Sequence, residues 1–444
     1  MLEFIQTHGM LISGLVFLVA YIFIASEKFQ KSVVALIGAA IVLLFGLVPV
    51  HGYLDIQNME YIKGVFGYVD FEVIFLLVGM MIIVDISSRS GIYKWIALNL
   101  LRVTGGQPMK VMFALALFTA VASAFLDNVT TVVLIMPITF VIAKEFEIDP
   151  VPFLITEVLA SNIGGTATLI GDPPNIIIGS RAGLSFMDFV KELTPLVTVI
   201  FIVSVLLLIY MFRKELVATP EKMKYIANLN NSKTIVDRKL MMRSIITLLI
   251  VILGFVTHDI THISAFIFAL GGAAFLLLFE NPKEIYKEVE WLTIFFFIGL
   301  FILIGAFEYN GGIKFLADQL IILTNGSLDA AVMIILWASG VLSGIVDNIP
   351  YTATMAPLIS ELINPANPHA ITGNTHALWW ALSLGACLGG NLTIVGAAAN
   401  VIVSETAAAE GYKISFMRFM KYGSIITFIS LVLSSVYLYF RFLH

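Results

Sequence analysis

The chain of 444 residues is 59% hydrophobic and only 12% charged, with a mean hydropathy of +0.98. Soluble domains carry about 25% charged residues, so this composition excludes a soluble protein and leaves no stretch for a separate soluble domain. The net charge of −5 provides no basic face for nucleic acid. A single cysteine, Cys387, excludes an internal disulfide, a cysteine-based zinc site and an iron–sulfur cluster. No cofactor is expected.

Apolar runs long enough to cross a hydrocarbon core of about 30 Å recur along the whole chain. They predict an all-α polytopic membrane protein with about ten spans, two of which are interrupted. The predicted spans cover residues 8–25, 33–49, 71–88, 153–180, 194–212, 244–258, 263–279, 291–308, 376–404 and 420–440.

Two further apolar stretches, 109–144 and 328–363, each carry a polar Asp-Asn pair near the middle. The pairs are Asp127-Asn128 and Asp347-Asn348. Non-helical backbone at membrane depth is tolerated only inside protein or along a water-filled cavity. We therefore predict two re-entrant hairpins with these pairs at their tips.

The distribution of basic residues predicts the orientation, because cytoplasmic loops are enriched in lysine and arginine. If the N-terminus lies outside, the external loops receive only Lys63, Arg181, Lys191, Lys314 and Arg441. We predict that both termini are extracytoplasmic, in the inner or plasma membrane of the cell. The predicted divisions are 1–70 and 244–290 (scaffold spans), 71–212 and 291–444 (two repeats), and 213–243 (a cytoplasmic linker).

The two halves repeat each other in sequence. Val69–Phe75 matches Val289–Phe295, and the Asp-Asn pairs follow at the same offset. At a slightly larger offset, Gly164–Asn175 aligns with Gly389–Asn400. An odd number of predicted crossings separates the copies, so the second repeat is inverted, an arrangement found in many transporters.

The two hairpin-tip aspartates are the first candidate site. A charge at the bilayer centre costs about 2.5–3.5 kcal/mol, which favours a cation-binding or proton-binding role for Asp127 and Asp347. The alternative is that Asp-Asn only forms the turn. Neutral oxygens or amides beside the two carboxylates would come from Asn128, Asn348, Thr130, Thr131 and Thr352.

The interrupted spans form the second candidate site. Glycine pairs and the Pro173-Pro174 pair break the helices, and such breaks point half-helix ends at a bound ligand. Asn175 and Asn400 follow the breaks and either bind the substrate or cap the second half-helix. The other predicted binding residues are Gly164, Gly165, Gly389, Gly390, Asn391 and Thr393.

Two more acidic residues are candidates for proton coupling, together with Asp127 and Asp347. Asp172 occurs only in the first repeat, where Ala397 is its counterpart, and either couples an ion or caps a half-helix. Glu157 lies in mid-span and acts either as a proton relay or as a structural hydrogen-bond partner.

The segments Ser123–Val132 and Asn162–Asn175 resemble the arsenite permease and P-protein (melanosomal) branch of the ion transporter superfamily. The resemblance extends over nearly the whole chain. It implies a scaffold, a transport subdomain that holds the hairpins and broken helices, elevator-type movement and a homodimer. Dicarboxylate carriers of the superfamily are similar, but they have Ser-Asn-Thr at both tips, where this chain has Asp127 and Asp347.

Two neighbouring carboxylates disfavour an anion such as citrate, because unit charges about 4 Å apart interact by roughly 4 kcal/mol at an effective dielectric near 20. The leading hypothesis is a secondary active transporter, not an enzyme, that exports arsenite or antimonite coupled to protons. Sodium–proton exchange is the alternative, and a passive channel or an intramembrane aspartyl protease is more distant. The expected partners are lipid and the transported ion, with a soluble ATPase subunit if the protein is an arsenite pump.

Overall fold

The computed structural model describes residues 8–26, 28–55, 60–227 and 234–444. These residues are mainly helical, and eight of their helices are long and apolar enough to cross a membrane. The all-α polytopic prediction is confirmed. One departure is a short antiparallel ribbon formed by β1 (Tyr53–Asp55) and β2 (Glu60–Ile62).

The helices of the first half run from the N-terminal span to the end of the linker helix. They are α1 (Gly9–Ser26), α2 (Lys31–Leu44), α3 (Phe71–Arg89), α4 (Ile92–Val103), α5 (Pro108–Ser123), α6 (Asn128–Phe146), α7 (Val151–Gly165), α8 (Pro173–Ala182), α9 (Phe186–Glu192), α10 (Thr194–Phe212) and α11 (Pro220–Ala227).

The second half repeats this order. Its helices are α12 (Arg238–Val256), α13 (His258–Thr261), α14 (Ala265–Leu277), α15 (Pro282–Glu288), α16 (Trp291–Tyr309), α17 (Gly312–Thr324), α18 (Leu328–Val346), α19 (Asn348–Leu362), α20 (His376–Gly389), α21 (Ala398–Ala409) and α22 (Phe416–Leu438). A turn of 3₁₀ helix at Ile394–Gly396 lies in the second break.

Each predicted span coincides with a helix or an interrupted pair, but α2 and α14 are shorter than predicted. At 1.5 Å per residue, α2 is about 21 Å long, less than the hydrocarbon thickness. It ends because Gly46 adopts a φ of +65° and the Leu47 amide donates to the Val42 carbonyl. This is a Schellman C-cap, which stops the helix although the following residues are apolar.

The two predicted hairpins are helix pairs that turn at the Asp-Asn sequences. The first consists of α5 and α6, and the second of α18 and α19. One limb of each, Asn128–Phe146 and Leu328–Val346, is long and apolar enough to cross a membrane, so the re-entrant topology stays a prediction. In each hairpin the first limb packs along the first half of the following broken helix, α5 on α7 and α18 on α20. A proline interrupts the second limb at equivalent places, Pro137 and Pro357.

Helices of each half also pack on helices of the other half. Helix α2 of the first half packs on α16 of the second, and α14 packs on α3 in the equivalent way. Close contact depends on glycine: a Cβ at Gly79 would lie 2.8 Å from the Ala269 carbonyl carbon, and one at Gly299 would lie 2.6 Å from that of Ala35. Small residues at helix crossings are typical of membrane proteins, where backbones approach closely.

The predicted linker 213–243 contains α11 at its centre, and residues 228–233 lie outside the described residues. Helix α12 begins at Arg238, before the predicted linker ends, because the Asp237 carboxylate accepts hydrogen bonds from the Lys239 and Leu240 amides as an N-cap. The division into scaffold and repeats stays a prediction, as does the side on which the termini lie.

Gly79→Ala and Gly299→Ala should each destabilise the protein by about 1–3 kcal/mol, because the added methyl group overlaps backbone atoms and forces the helices apart. Thermal unfolding of the detergent-solubilised protein would measure this. Gly271→Ala in α14 is the matched control, because no atom lies within 4 Å of its added Cβ. Equal melting temperatures for all three variants would contradict the proposed packing.

Candidate functional site

The two hairpin tips share the Asp-Asn pair but form different hydrogen bonds. Asp127 is the N-cap of α6, and its carboxylate accepts from the Thr130 amide at 2.9 Å and from the Thr130 hydroxyl. Asp347 is the N-cap of α19 and accepts from the Ile349 amide at 3.0 Å and from the Lys31 ammonium at 2.6 Å. Both aspartates therefore cap a helix, as the turn-forming alternative predicted, and both keep a carboxylate at the site.

Asp172 lies between the two tips and is fully buried. Its carboxylate accepts from the side-chain amide of Asn128 at 3.4 Å and from that of Asn348 at 3.2 Å. It occupies the N-cap position of α8 but accepts no capping hydrogen bond, so the capping alternative for Asp172 is wrong. The residue that breaks the sequence symmetry thus joins the equivalent asparagines of both repeats.

The two asparagines after the breaks hold each broken helix together. The amide of Asn175 donates to the carbonyls of Gly165 and Thr168 at 3.4 and 2.9 Å. The amide of Asn400 donates to the equivalent carbonyls of Gly390 and Thr393 at 2.7 and 2.9 Å. Carbonyls at the end of a half-helix have no helical donor, and these amides supply one. The asparagines therefore cap the preceding half-helix, not the following one as predicted.

The side-chain oxygens of the same asparagines face the other repeat. The Asn175 oxygen accepts from the Ser383 hydroxyl at 2.6 Å and the Cys387 thiol at 3.5 Å. The Asn400 oxygen accepts from the amide of Asn162 at 3.0 Å. Neither asparagine contacts lipid, and both are buried at the interface between repeats.

Asn162 is a central residue that the sequence analysis did not select. Its amide donates to Asn391 at 2.9 Å as well as to Asn400, and its oxygen accepts from Asn128 at 3.2 Å. It therefore connects the first tip with the second break. The available signal was a polar residue in mid-span beside the glycine pair of the first break.

The glycines of the breaks allow the hairpins to approach. A Cβ at Gly389 would lie 2.6 Å from the Gly340 carbonyl oxygen, and one at Gly164 would overlap the Ala120 backbone. Gly165 and Gly390 instead face the loop that follows, near Gly171 and Gly396 respectively. The binding role predicted for these glycines stays a prediction.

The remaining predicted residues take supporting positions. Thr131 donates to the Asp127 carbonyl at 2.9 Å, and Thr393 donates to the Gly344 carbonyl at 2.6 Å. The buried hydroxyl of Thr352 has no hydrogen-bond partner among the described residues. Glu157 accepts from Thr139 at 2.6 Å through one carboxylate oxygen, and its other oxygen has no partner in the described part of the chain.

A cavity of about 570 Å³, here called the open cavity, leads to the tips. It is lined by Asp127, Asn128, Asp172 and Asn348, with Glu290 at the start of α16. Glu290 accepts from the Thr293 hydroxyl at 3.0 Å. The sequence analysis did not select Glu290, although it matches Asp70 of the first repeat.

The equivalent cavity on the other side of the site is contracted. Ile402, Met81 and Glu290 line the open cavity, and their repeat counterparts Ile177, Phe301 and Asp70 line a cavity of about 50 Å³, here called the closed cavity. The two equivalent cavities therefore differ in volume, and we expect readier access to the site from the open cavity.

Polar contacts hold the closed cavity shut. Arg181 on α8 pairs with Glu308 on α16 at 2.9 Å and donates to the Ser360 hydroxyl at 3.2 Å. The Ser180 hydroxyl donates to the Asp70 carboxylate. These contacts join α8 to α16, to α19 and, through the N-cap residue Asp70, to α3.

The CitMHS family model, described as a citrate transporter, matches residues 21–385. The chain belongs to this citrate transporter family. An uncharacterized transporter of Mycobacterium tuberculosis is similar to this family member, with 40% identity over 96% of this chain and 97% of the relative. The P protein of Sus scrofa is 30% identical over 94% of this chain and 58% of its own length. The resemblance to the P-protein branch is confirmed.

The fold of this citrate transporter family member is also that of a solved structure. The YdaH transporter of Alcanivorax borkumensis superposes with a TM-score of 0.56 at 15% identity, over 97% of both chains. At that identity the similarity establishes the fold alone. The family model and the relatives, rather than this structure, show that the chain is a multi-pass membrane transporter of the ion transporter superfamily.

One-sided access can be tested by cysteine labelling. We expect Ile402→Cys in the open cavity to react several-fold faster with a small maleimide than Ile177→Cys in the closed cavity. Adding Arg181→Gln should accelerate labelling of Ile177→Cys, because it removes the Glu308 pair. The unsubstituted protein is the control, since its Cys387 is fully buried. Equal rates for both cysteines would show that the two cavities do not differ in access.

Proposed function

We propose that this protein is a secondary active transporter that exchanges protons for a small monovalent cation such as sodium. The cation would bind at Asp172, between the amide groups of Asn128 and Asn348, with the tip carboxylates of Asp127 and Asp347 nearby. Protonation of the carboxylate would replace the cation in the other half of the cycle. No resident metal or cofactor is needed for this exchange.

The proposal rests on the buried carboxylate of Asp172, which forms no ion pair with a basic side chain among the described residues. Among the described residues no basic side chain pairs with Asp172, and its hydrogen-bond donors are neutral amides. An isolated charge away from water is costly unless it binds a counter-ion or a proton. Asp172 therefore requires one or the other, and alternation between the two is proton–cation exchange.

The charge of the open cavity agrees with this substrate class. Its lining includes the acidic residues Asp127, Asp172, Glu288 and Glu290, and Lys287 is the one base among its described lining residues. A cavity lined by one sign of charge concentrates ions of the opposite sign. The family description names citrate, but a tricarboxylate would meet these carboxylates, so we propose a cation instead.

Arsenite or antimonite remains the second candidate. The amide groups of Asn128 and Asn348 beside Asp172 can donate to or accept from the hydroxyl groups of an uncharged hydroxide. The resemblance to arsenite permeases also supports this second candidate. An associated ATPase subunit, a homodimer and elevator-type movement of the hairpins and broken helices likewise remain proposals.

Protease chemistry receives no support from the aspartates. An aspartyl dyad needs two carboxylates that share a proton. No hydrogen bond joins Asp127 to Asp347 among the described residues, and Asp347 instead pairs with Lys31.

Asp172→Asn should abolish coupled transport while leaving the protein folded, because the amide keeps the shape and cannot carry charge or a titrating proton. The measurement is proton flux in proteoliposomes with an imposed pH gradient, comparing sodium, arsenite, citrate and phosphate. We expect sodium to dissipate the gradient in the unsubstituted protein. Asp127→Asn should reduce this flux strongly.

Asp329→Asn is the matched control, since Asp329 is exposed in the first turn of α18, outside the open cavity. Arsenite flux without sodium flux would replace the proposed function by the second candidate. Normal sodium exchange by Asp172→Asn would remove Asp172 from the mechanism.

Glu290 predicts a pH dependence at the mouth of the open cavity. It directly precedes the candidate membrane span α16, and burial together with the Asp127 carboxylate raises the pKa of Glu290 to about 7. Above this pH Glu290 is ionised and attracts a cation; below it Glu290 is neutral. The apparent KM for sodium should therefore fall as pH rises from about 6 to about 8.

The Glu290→Gln variant should show a smaller pH dependence of KM than the unsubstituted protein. Proton competition at Asp172 and Asp127 is common to both proteins, so the difference between them isolates Glu290. Glu288 and Lys287 at the same mouth are also unchanged in both. Identical pH profiles would show that Glu290 does not control cation entry.

A further inference from the structure

The second hairpin tip holds an ion pair with a residue outside the hairpin. The Lys31 ammonium lies 2.6 Å from Asp347 Oδ2. Lys31 is the first residue of α2, whereas Asp347 is the N-cap of α19. The Asp347 side chain is only 4% exposed, and that of Lys31 is 24% exposed. Among the described residues, Asp127 at the first tip forms no ion pair.

One of the sequence differences between the tips accounts for the different hydrogen bonds. At the first tip Thr130 donates both its amide and its hydroxyl to Asp127. The equivalent residue at the second tip is Pro350, which has neither donor. Asp347 keeps only the Ile349 amide as a local donor, and Lys31 supplies the remaining compensation.

The backbone at Asp347 is also unusual. Its φ is +95°, in a region that residues with a side chain rarely adopt, whereas Asp127 has a φ of −66°. Such a conformation costs about 1–3 kcal/mol and persists only when its surroundings hold it. The contact with Lys31 is one of the restraints that hold the second tip in this form.

Lys31 lies at the edge of the open cavity. Its neighbour Gln30 lines that cavity, and so do Asn348 and Ile349, which follow Asp347. Lys31 and Asp347 are thus each next in sequence to residues that line the open cavity. An ammonium and a monovalent metal ion carry the same charge and compete for the same carboxylate oxygen.

We propose that Lys31 is a tethered counter-ion of Asp347, which the transported cation displaces when it binds at the second tip, so that Lys31 sets the cation affinity of the site. The inference rests on the cation exchange proposed above. In the empty site the pair supplies a positive charge beside a buried carboxylate whose local donor is the Ile349 amide. When a cation binds, the ammonium moves toward the water of the open cavity and stays protonated. Its return to Asp347 promotes release.

Removing the tethered charge should therefore strengthen cation binding and slow turnover. We expect Lys31→Gln to lower the KM for sodium by about tenfold, because one competing positive charge beside the carboxylate is lost. Its kcat should also fall, because release loses the returning ammonium. Lys31→Arg keeps the charge and should retain a KM within about threefold of the unsubstituted value. The measurement is sodium-driven proton flux in proteoliposomes over a range of sodium concentrations.

Lys28→Gln is the matched control, since Lys28 is exposed in the same loop before α2 and removing it changes the net charge equally. Its KM should not change. A lower KM of the Lys31→Gln variant would show that Lys31 competes with sodium. Loss of a purely structural ion pair would instead reduce kcat or protein yield without strengthening sodium binding.

A second measurement does not depend on transport. Sodium that binds the folded protein raises its melting temperature, and half of the maximal rise should require less sodium in Lys31→Met than in the unsubstituted protein. Methionine keeps the apolar stem if glutamine is not tolerated. An unchanged or higher sodium requirement in both variants overturns the role of Lys31 while cation exchange stands. No sodium flux and no sodium-induced stabilisation of the unsubstituted protein overturn both.

Discussion

The carboxylate of Asp172 accepts hydrogen bonds from the asparagines at both hairpin tips, and this contact brings the two repeats together at one buried charge. A carboxylate in such a place is stable only with hydrogen bonds and a compensating positive charge. The amides of Asn128 and Asn348 supply the hydrogen bonds. In the cation exchange proposed above, a proton or a cation supplies the positive charge, and this requirement would link the architecture to transport.

The framework around Asp172 is symmetric because the same physical problem arises twice. A helix that breaks inside the membrane leaves carbonyl groups without donors, and water is not there to replace them. Asn175 and Asn400 solve this problem with equivalent hydrogen bonds. The side-chain oxygen of each asparagine accepts a hydrogen bond from the other repeat, so the two breaks are joined to each other.

The two repeats differ at residues that we propose to act in cation binding. Asp172 corresponds to Ala397, so the pair of repeats has one central carboxylate rather than two. Thr130 corresponds to Pro350, so the two tip aspartates have different partners. The cavities of the two repeats are also unequal: the open cavity has a volume of about 570 Å³ and the closed cavity one of about 50 Å³. If the repeats exchanged conformations, the closed side would open and the open side would close, which is the logic of alternating access.

Composition and repetition determined much about this protein from the sequence alone. Apolar runs of membrane length predicted the helical fold, and matched motifs predicted the two hairpins, the two breaks and most of the residues now found near the centre. Such signals are local, because hydropathy and turn chemistry act over a few neighbouring residues. The tertiary structure decided which polar groups meet. Lys31 and Asp347 are separated by 316 positions in sequence, and the amide of Asn162 reaches Asn400 across the boundary between repeats. The helix packing also decided that Asp172, rather than a tip aspartate, lies between the tips, and that one cavity is open. Residue spacing does not encode these outcomes, because they depend on how two inverted halves fit around the same buried charge.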